Sequence, residues 1–419
     1  MRARHSWMLL TLLLVAGTRF ASGDDLPRRR PLDDRSYAVT PERLARGQYL
    51  AEHLLQCFVC HSERDWNRPG APPVEGRKGA GALLREQGER RIVAPNITPD
   101  AGTGAGAWTD DMLARGIREG IGHDERPLYW GMWYQSFAAL SDEDLAAVVV
   151  YLRSIPPVRN ALPSTRLPPE ELRENAALPR PITAPVAGPP PGDRQARGRY
   201  LVNVADCTGC HTSWHSSRNP GLLGGGNLIQ RGTHSAFSTN LTRHASGAGY
   251  SVDTFIAVIR GGKGGSLSPV MPWTAFRGLT DDDLAAIHDA LGAVQPVAHY
   301  VGNAGEPSHC AACGQSHPLG EYNHVEIPAS VPLEPAQLER LAGRYHSSQY
   351  ELTVHVRRDG ARLYGRADDE PEIELFAQSA TRFLAPGWVA PVEFVLDADG
   401  RVTHLASLEI DRVLFERLP

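Results

Sequence analysis

Two short stretches, Cys57-Phe58-Val59-Cys60-His61 and Cys207-Thr208-Gly209-Cys210-His211, hold residues whose type and spacing make a specific chemistry available. A Cys-x-x-Cys-His run is the attachment pattern of c-type haem. Two thiols three positions apart can each form a thioether with one of the haem's two vinyl groups, and the adjacent imidazole then reaches the iron as an axial ligand. With six Cys and sixteen His in 419 residues, random order would give the pattern about 0.003 times, so chance is a poor account of two copies. A redox Cys-x-x-Cys followed by an uninvolved His is the duller reading, and it leaves the repetition unexplained. Cys57, Cys60, Cys207 and Cys210 are therefore predicted to attach two haems, with His61 and His211 on the irons.

A His-ligated iron that transfers electrons commonly takes Met as its second protein ligand. Met1 and Met8 lie in a leader, which leaves Met112, Met132 and Met271. Met132 and Met271 each stand eight residues before a leucine, Leu140 and Leu279, whereas Met112 has no counterpart. Met132 is thus assigned to the first iron and Met271 to the second. The competing readings are core filling for both Met residues, His123 as ligand to the first iron, and His234 or His244 to the second. His215 is expected on the surface. Trp108, Trp130, Tyr134, Phe137, Trp273 and Phe276 are expected to line the haem pockets, to form ordinary core, or both. Asn96 and Asn240 either meet a haem edge or shape a turn.

The elements that must position these groups follow from an internal duplication. Thr40-Pro41-Glu42 starts a helix that runs through Arg46-Gly47-Gln48-Tyr49-Leu50 towards Cys57, and Arg197-Gly198-Arg199-Tyr200-Leu201 leads to Cys207 in the same way. Asn96-Ile97-Thr98 returns as Asn240-Leu241-Thr242, and the stretch from Met132 to Val158 aligns without a gap on that from Met271 to Val297. Inside it, Ser141 and Thr280 are predicted helix caps, with Asp144 and Asp283 three residues on closing a capping box. These helices end near Pro156-Pro157 and Pro296, because Pro cannot continue a helix interior. A Pro-rich, extended linker separates the two copies, with a short helix expected over Pro168 to Asn175.

The chain opens with Arg2, Arg4 and His5, an apolar run from Trp7 to Ala16, and the small residues Ala21-Ser22-Gly23. That is the pattern of a secretory signal peptide, and it predicts a periplasmic protein; an uncleaved anchor is the alternative. The net charge of -5 gives no reason to expect nucleic-acid binding, and 42% apolar residues suit soluble domains, not a membrane channel.

Arg-Gly-x-Tyr-Leu before Cys-x-x-Cys-His, Asn-x-Thr, Met271-Pro272-Trp273 and the run Leu279-Thr280-Asp281-Asp282-Asp283-Leu284 resemble the class I cytochrome c modules of multihaem dehydrogenase subunits. The similarity is strongest to the cytochrome c subunit of membrane-bound alcohol and gluconate dehydrogenases and to related dihaem cytochromes c, and it covers about residues 40–298. The resemblance implies two all-α haem domains, with His61/Met132 and His211/Met271 as axial pairs. It also implies electron passage from a dehydrogenase through successive haems to quinone or a terminal oxidase. Those subunits carry three haems. Here the third pair, Cys310-Ala311-Ala312-Cys313, is followed by Gly314, so no third haem is expected. A disulfide, suited to an oxidising compartment, or another structural role is preferred there over zinc held with help from nearby His309, His317 and His324.

From Leu333 the chain loses Cys and Met and begins to alternate. Leu352, Val354 and Val356 mark a half-buried strand, and Asp359-Gly360 and Asp399-Gly400 mark hairpin turns. A small antiparallel sheet or partial barrel is predicted, entered by a short helix around Pro335 to Ala342. It resembles β-domains appended to some secreted serine-hydrolase-like proteins, and it holds no catalytic constellation.

The expected architecture is multidomain: two all-α class I cytochrome c domains followed by a small antiparallel β domain. The boundaries are a signal peptide at 1–23, haem domains at 40–158 and 193–298, a linker at 159–192, a Cys/His-containing connector at 299–332 and the β domain at 333–419. The expected function is an exported carrier of single electrons with two covalent haems c. It would run between a periplasmic dehydrogenase or quinol donor and a downstream cytochrome or oxidase, with peripheral membrane association. A haem enzyme such as a peroxidase with one open iron, and a redox-sensing interaction protein, are the alternatives.

Overall fold

The computed structural model describes residues 29–419 apart from 215–218, 264, 266, 325–327, 369, 371 and 387. The predicted signal peptide and His215 lie outside the described residues. Contacts divide the chain into two compact units. One runs from the first described residue to Asp206 and includes Ser251–Asp289; the other joins Cys207–Tyr250 to Ala290–Pro419.

In the first unit, helix α1 (Pro41–Tyr49) begins as its sequence requires. Thr40 accepts the Arg43 N–H at its side chain and Pro41 fills the first turn. It continues through a π-turn at Leu50–Leu54 into α2 (Cys57–Cys60). A hairpin of β1 (Ala82–Gln87) and β2 (Arg90–Ala94) follows. Then come α3 (Asp110–Glu119), α4 (Tyr134–Phe137), α5 (Asp142–Ser154), α6 (Pro169–Ala176) and α7 (Arg194–Val204). In the second unit α8 (Cys207–His211) precedes a hairpin of β3 (Leu228–Arg231) and β4 (His234–Phe237). Helices α9 (Val252–Gly261) and α10 (Trp273–Phe276) return to the first unit, and α11 (Asp281–Gly292) starts there. The all-α expectation for the two haem-motif regions needs amending, because each copy carries a two-stranded hairpin.

The Arg-Gly-x-Tyr-Leu motif can be read residue by residue within the first unit. Leu50 and Leu201 are fully buried. Gly47 lets α1 lie against α5: a Cβ there would stand 1.9 Å from the Ala147 carbonyl oxygen. Arg46 donates two bonds of 2.8 Å to Asp144, and Arg197 pairs with Asp283. The tyrosines cross over between the copies. Tyr49 Oη donates to Asp283 at 2.6 Å and accepts the Thr280 N–H at 3.2 Å. Tyr200 Oη donates to Asp144 at 2.6 Å and accepts the Ser141 N–H at 3.3 Å.

This corrects the capping-box expectation. Ser141 and Thr280 do cap, accepting the N–H groups of Asp144 and Asp283. The carboxylates do not reach back to the cap N–H groups, because an arginine and a tyrosine hydroxyl claim them. A charge-assisted bidentate pair outcompetes a single bond to a backbone amide.

After the connector hairpin of β5 (Ser308–His309) and β6 (Ser316–His317), helix α12 (Pro335–Leu341) enters the C-terminal domain as predicted. Its strands are β7 (Gly343–Ser347), β8 (Leu352–Asp359), β9 (Arg362–Ala367), β10 (Ile373–Ala377), β11 (Arg382–Leu384), β12 (Val392–Leu396), β13 (Val402–Leu408) and β14 (Arg412–Arg417). All pairs are antiparallel, and the order β10-β11-β12-β13-β14-β7-β8-β9 closes on itself, so the barrel is complete, not partial. Closure comes from Arg417 and Glu416 of β14 pairing with Tyr345 and His346 of β7, which leaves no free edge to recruit another strand. Leu352, Val354 and Val356 face a core that also holds Tyr345, Phe383 and Phe394.

Candidate haem sites

Helix α2 is a single turn, so Cys57 and Cys60 stand at its two ends, and the His61 N–H donates to Cys57 O at 2.9 Å. Both thiols are free and half-buried. His61 is 4% exposed. Its Nδ1 faces the Pro95 carbonyl at 2.8 Å. A carbonyl can only accept, so Nδ1 carries the proton and Nε2 keeps its lone pair. Burial lowers the imidazole's pKa and favours that neutral form. Nε2 points at Met132 Sδ, 3.5 Å away. A neutral imidazole held at its far nitrogen and facing a thioether, beside two thiols one turn apart, fits c-type haem.

The second copy repeats the arrangement on the His side. His211 Nδ1–H donates to Thr239 O at 2.7 Å. Cys207 and Cys210 are half-buried on the same helical turn. Met271 is half-buried just before α10 and belongs to the first unit.

The hairpins explain how each His is held, and the sequence reading missed them. Gly81 N–H donates to His61 O at 2.9 Å, and Gly225 N–H to His211 O at 2.6 Å. Both glycines have φ in the left-handed region, +78° and +73°, which favours glycine. A Cβ at either would press on the return strand's end, at Ala94 O or Ser238 O. Each hairpin thus grips its His by the backbone on one side and by the ring on the other. The matching glycines were the available signal.

Asn96 and Asn240 shape turns. Asn96 Oδ1 accepts from the N–H and hydroxyl of Thr98, and Nδ2 donates to Val158 O at 2.8 Å. Asn240 repeats this with Thr242 and Val297 O. Each clamp ties the segment after the His-gripping carbonyl to the end of the repeat.

The Met132 loop has a support that sequence reasoning did not find. Asn175 of α6, 3% exposed, accepts the Trp130 N–H at 2.8 Å and donates to Leu128 O at 2.7 Å. The linker helix therefore braces the loop that presents the sulfur.

His123 is exposed and stacks on Trp108 with ring centroids 4.2 Å apart. His234 is exposed on β4, and His244 bonds Ser246. Met112 is half-buried on α3. Tyr134, Phe137 and Phe276 are buried, while Trp108, Trp130 and Trp273 are half-buried. Cys310 and Cys313 are buried free thiols, which corrects the disulfide expectation. His317 joins them, His309 and His324 are exposed, and His299 takes the fourth place.

Asp206, one residue before Cys207, is 6% exposed and accepts the Ser136 hydroxyl at 2.7 Å. Burial pushes its carboxyl up to about 7. The unfolded value is about 3.9, so the folded state holds the proton more tightly. Stability is then highest below pH ~4 and falls as pH rises to the folded value. Asp206→Asn keeps the acceptor and removes the titration. Between pH 5 and 8 the parent is expected to lose up to about 3 kcal/mol relative to the variant. Denaturation midpoints of both proteins at the two pH values check this, and parallel pH profiles would refute it.

Comparison with known proteins places this geometry. Residues 328–416 match the sequence model of a domain of unknown function (DUF3471). The chain is similar to the fructose dehydrogenase cytochrome subunit of Gluconobacter japonicus, 31% identical over 49% of this chain and 40% of the relative. It is also similar to the gluconate 2-dehydrogenase cytochrome c subunit of Pantoea cypripedii, 34% identical over 40% of this chain and 37% of the relative. A diheme cytochrome c-type protein of Cereibacter sphaeroides is 28% identical over 54% of this chain and 76% of its own length. The match thus spans about two fifths of the first two relatives. The chain resembles cytochrome c subunits of dehydrogenases and a diheme cytochrome c, as its motifs implied.

Proposed function

We propose that this chain is an exported dihaem c-type cytochrome that carries single electrons from a dehydrogenase or quinol to a downstream cytochrome or oxidase. The facing pair of His61 Nε2 and Met132 Sδ, beside Cys57 and Cys60, is the observation that carries the proposal. Haem, when bound, supplies a reversible one-electron ferric/ferrous couple. Cys57 and Cys60 fix it to one helical turn, and Cys207 and Cys210 do the same in the second copy. Pro95 O and Thr239 O orient His61 and His211 through Nδ1. Met132 and Met271 are the proposed opposite ligands, a pairing that raises the reduction potential. No proton need be moved, so the site requires no acid or base.

A pyridine haemochrome count on chain matured with a haem-attachment system, followed by carbon monoxide addition to the reduced protein, tests this. Two haems per chain, both resistant to carbon monoxide, are expected. Two haems with one binding carbon monoxide rapidly would favour an open iron and a peroxidase-like role. One haem or none would overturn the assignment.

A further inference from the structure

The connector after the second copy holds a group of side chains that electron transfer does not use. Strands β5 and β6 form a minimal hairpin, with Ser308 opposite His317 and His309 opposite Ser316. Cys310 and Cys313 occupy its turn. Cys310 N–H donates to Gln315 O and Gly314 N–H to Cys310 O, both at 2.8 Å, and Cys313 N–H aims at Cys310 Sγ from 3.4 Å. His317 ends the hairpin, and His299 arrives from eleven residues upstream. All four side chains are fully buried. His299 Nε2 stands 3.4 Å from Cys310 Sγ, and His317 Nε2 stands 3.4 Å from Cys313 Sγ. The four ligand atoms all lie within 4.8 Å of one another.

We propose that His299, Cys310, Cys313 and His317 bind one zinc ion as a closed structural site. Tetrahedral zinc, with bonds of ~2.3 Å to sulfur and ~2.0–2.1 Å to nitrogen, has N···S edges of about 3.5 Å. The two N···S distances match that edge. Each imidazole is preset for the metal by its other nitrogen: Nδ1–H of His299 donates to Gly224 O at 2.7 Å and that of His317 to Pro318 O at 3.1 Å. Both rings therefore turn an Nε2 lone pair towards the sulfurs, the usual support of a metal-bound His. Pairwise S–H···N bonds would explain two short distances, but they would not require all four atoms to converge on one space. A two-iron cluster would hold its Cys pair apart from its His pair, which so compact a group excludes. On binding, each thiol releases a proton to solvent. Two thiolates and two neutral imidazoles then leave the bound Zn²⁺ without net charge, as a buried site requires.

The ion would tie the connector to the second haem-binding copy. His299 N–H donates to Ser246 Oγ at 3.0 Å, and His299 O accepts from Asn240 at 3.2 Å. The Gly224 carbonyl that orients His299 is adjacent to Gly225, whose N–H holds the His211 carbonyl. The zinc site thus braces the hairpin base behind His211.

The test is elemental analysis of the full haem-loaded chain after passage over a chelating resin. One zinc per chain is expected in addition to haem iron, and His299→Gln and Cys310→Ser should each lose it while covalent haem content stays unchanged. Denaturing the parent should release its zinc to a colorimetric indicator together with two newly reactive thiols, a readout that needs no folded variant. Zinc well below one per chain, a Cys310–Cys313 disulfide, another metal in its place, or zinc retained by both variants would overturn the proposal. Zinc and haem are counted separately, so failure here leaves the electron-carrier reading standing, and the reverse also holds.

Discussion

Met132→Ala is expected to leave the haem count unchanged and to open one of the two irons. In the proposed arrangement Cys57 and Cys60 hold the first haem covalently, so attachment does not depend on the sulfur. The variant removes the group that His61 Nε2 faces at 3.5 Å. One ferrous haem of the two should then bind carbon monoxide, where the parent binds none. That haem's potential should fall by an appreciable part of the ~0.8 V that axial ligation commands. Spectroelectrochemistry with and without carbon monoxide reads both effects. A carbon monoxide-resistant variant with unchanged potentials would remove Met132 from the iron. His123, exposed and stacked on Trp108, would have to leave that stack to replace it.

The second large effect concerns stability. Asp283 is completely buried, accepts the Tyr49 hydroxyl at 2.6 Å and pairs with Arg197. Asp283→Ala leaves a buried hydroxyl and a guanidinium without their acceptor. Breaking a buried pair typically costs 3–5 kcal/mol. Arg197 is 43% exposed and can turn to water, so a loss of about 3 kcal/mol is expected. Asp283→Asn, which keeps an acceptor for Tyr49, should fall between variant and parent. Denaturant unfolding followed by far-UV circular dichroism checks the series, and a loss under about 1 kcal/mol for Asp283→Ala would show the pair to be solvent-screened.

The barrel's strands were legible because one face is buried and side chains alternate with period two, as on β8. The hairpins after each haem motif were not. Almost every residue of β1 is exposed, so no period-two pattern marks it. In the linker, α6 could be read as a helix, but a buried Asn175 holding the Met132 loop could not, since nothing local distinguishes it from a solvated asparagine.

What the sequence determined by itself was the chemistry written in neighbouring residues. Two thiols and an imidazole on one helical turn are close whatever the rest of the chain does, and a duplicated pattern shows wherever its copies lie. What only the tertiary structure decided was which distant groups share a space. Met132 comes to His61 across 71 positions. Tyr49 reaches Asp283 across 234. His299, and not His309 or His324, joins Cys310, Cys313 and His317, although all belong to the same Cys/His-containing segment. Short-range geometry follows from bond lengths and helix pitch, whereas these pairings depend on the path of the backbone between them.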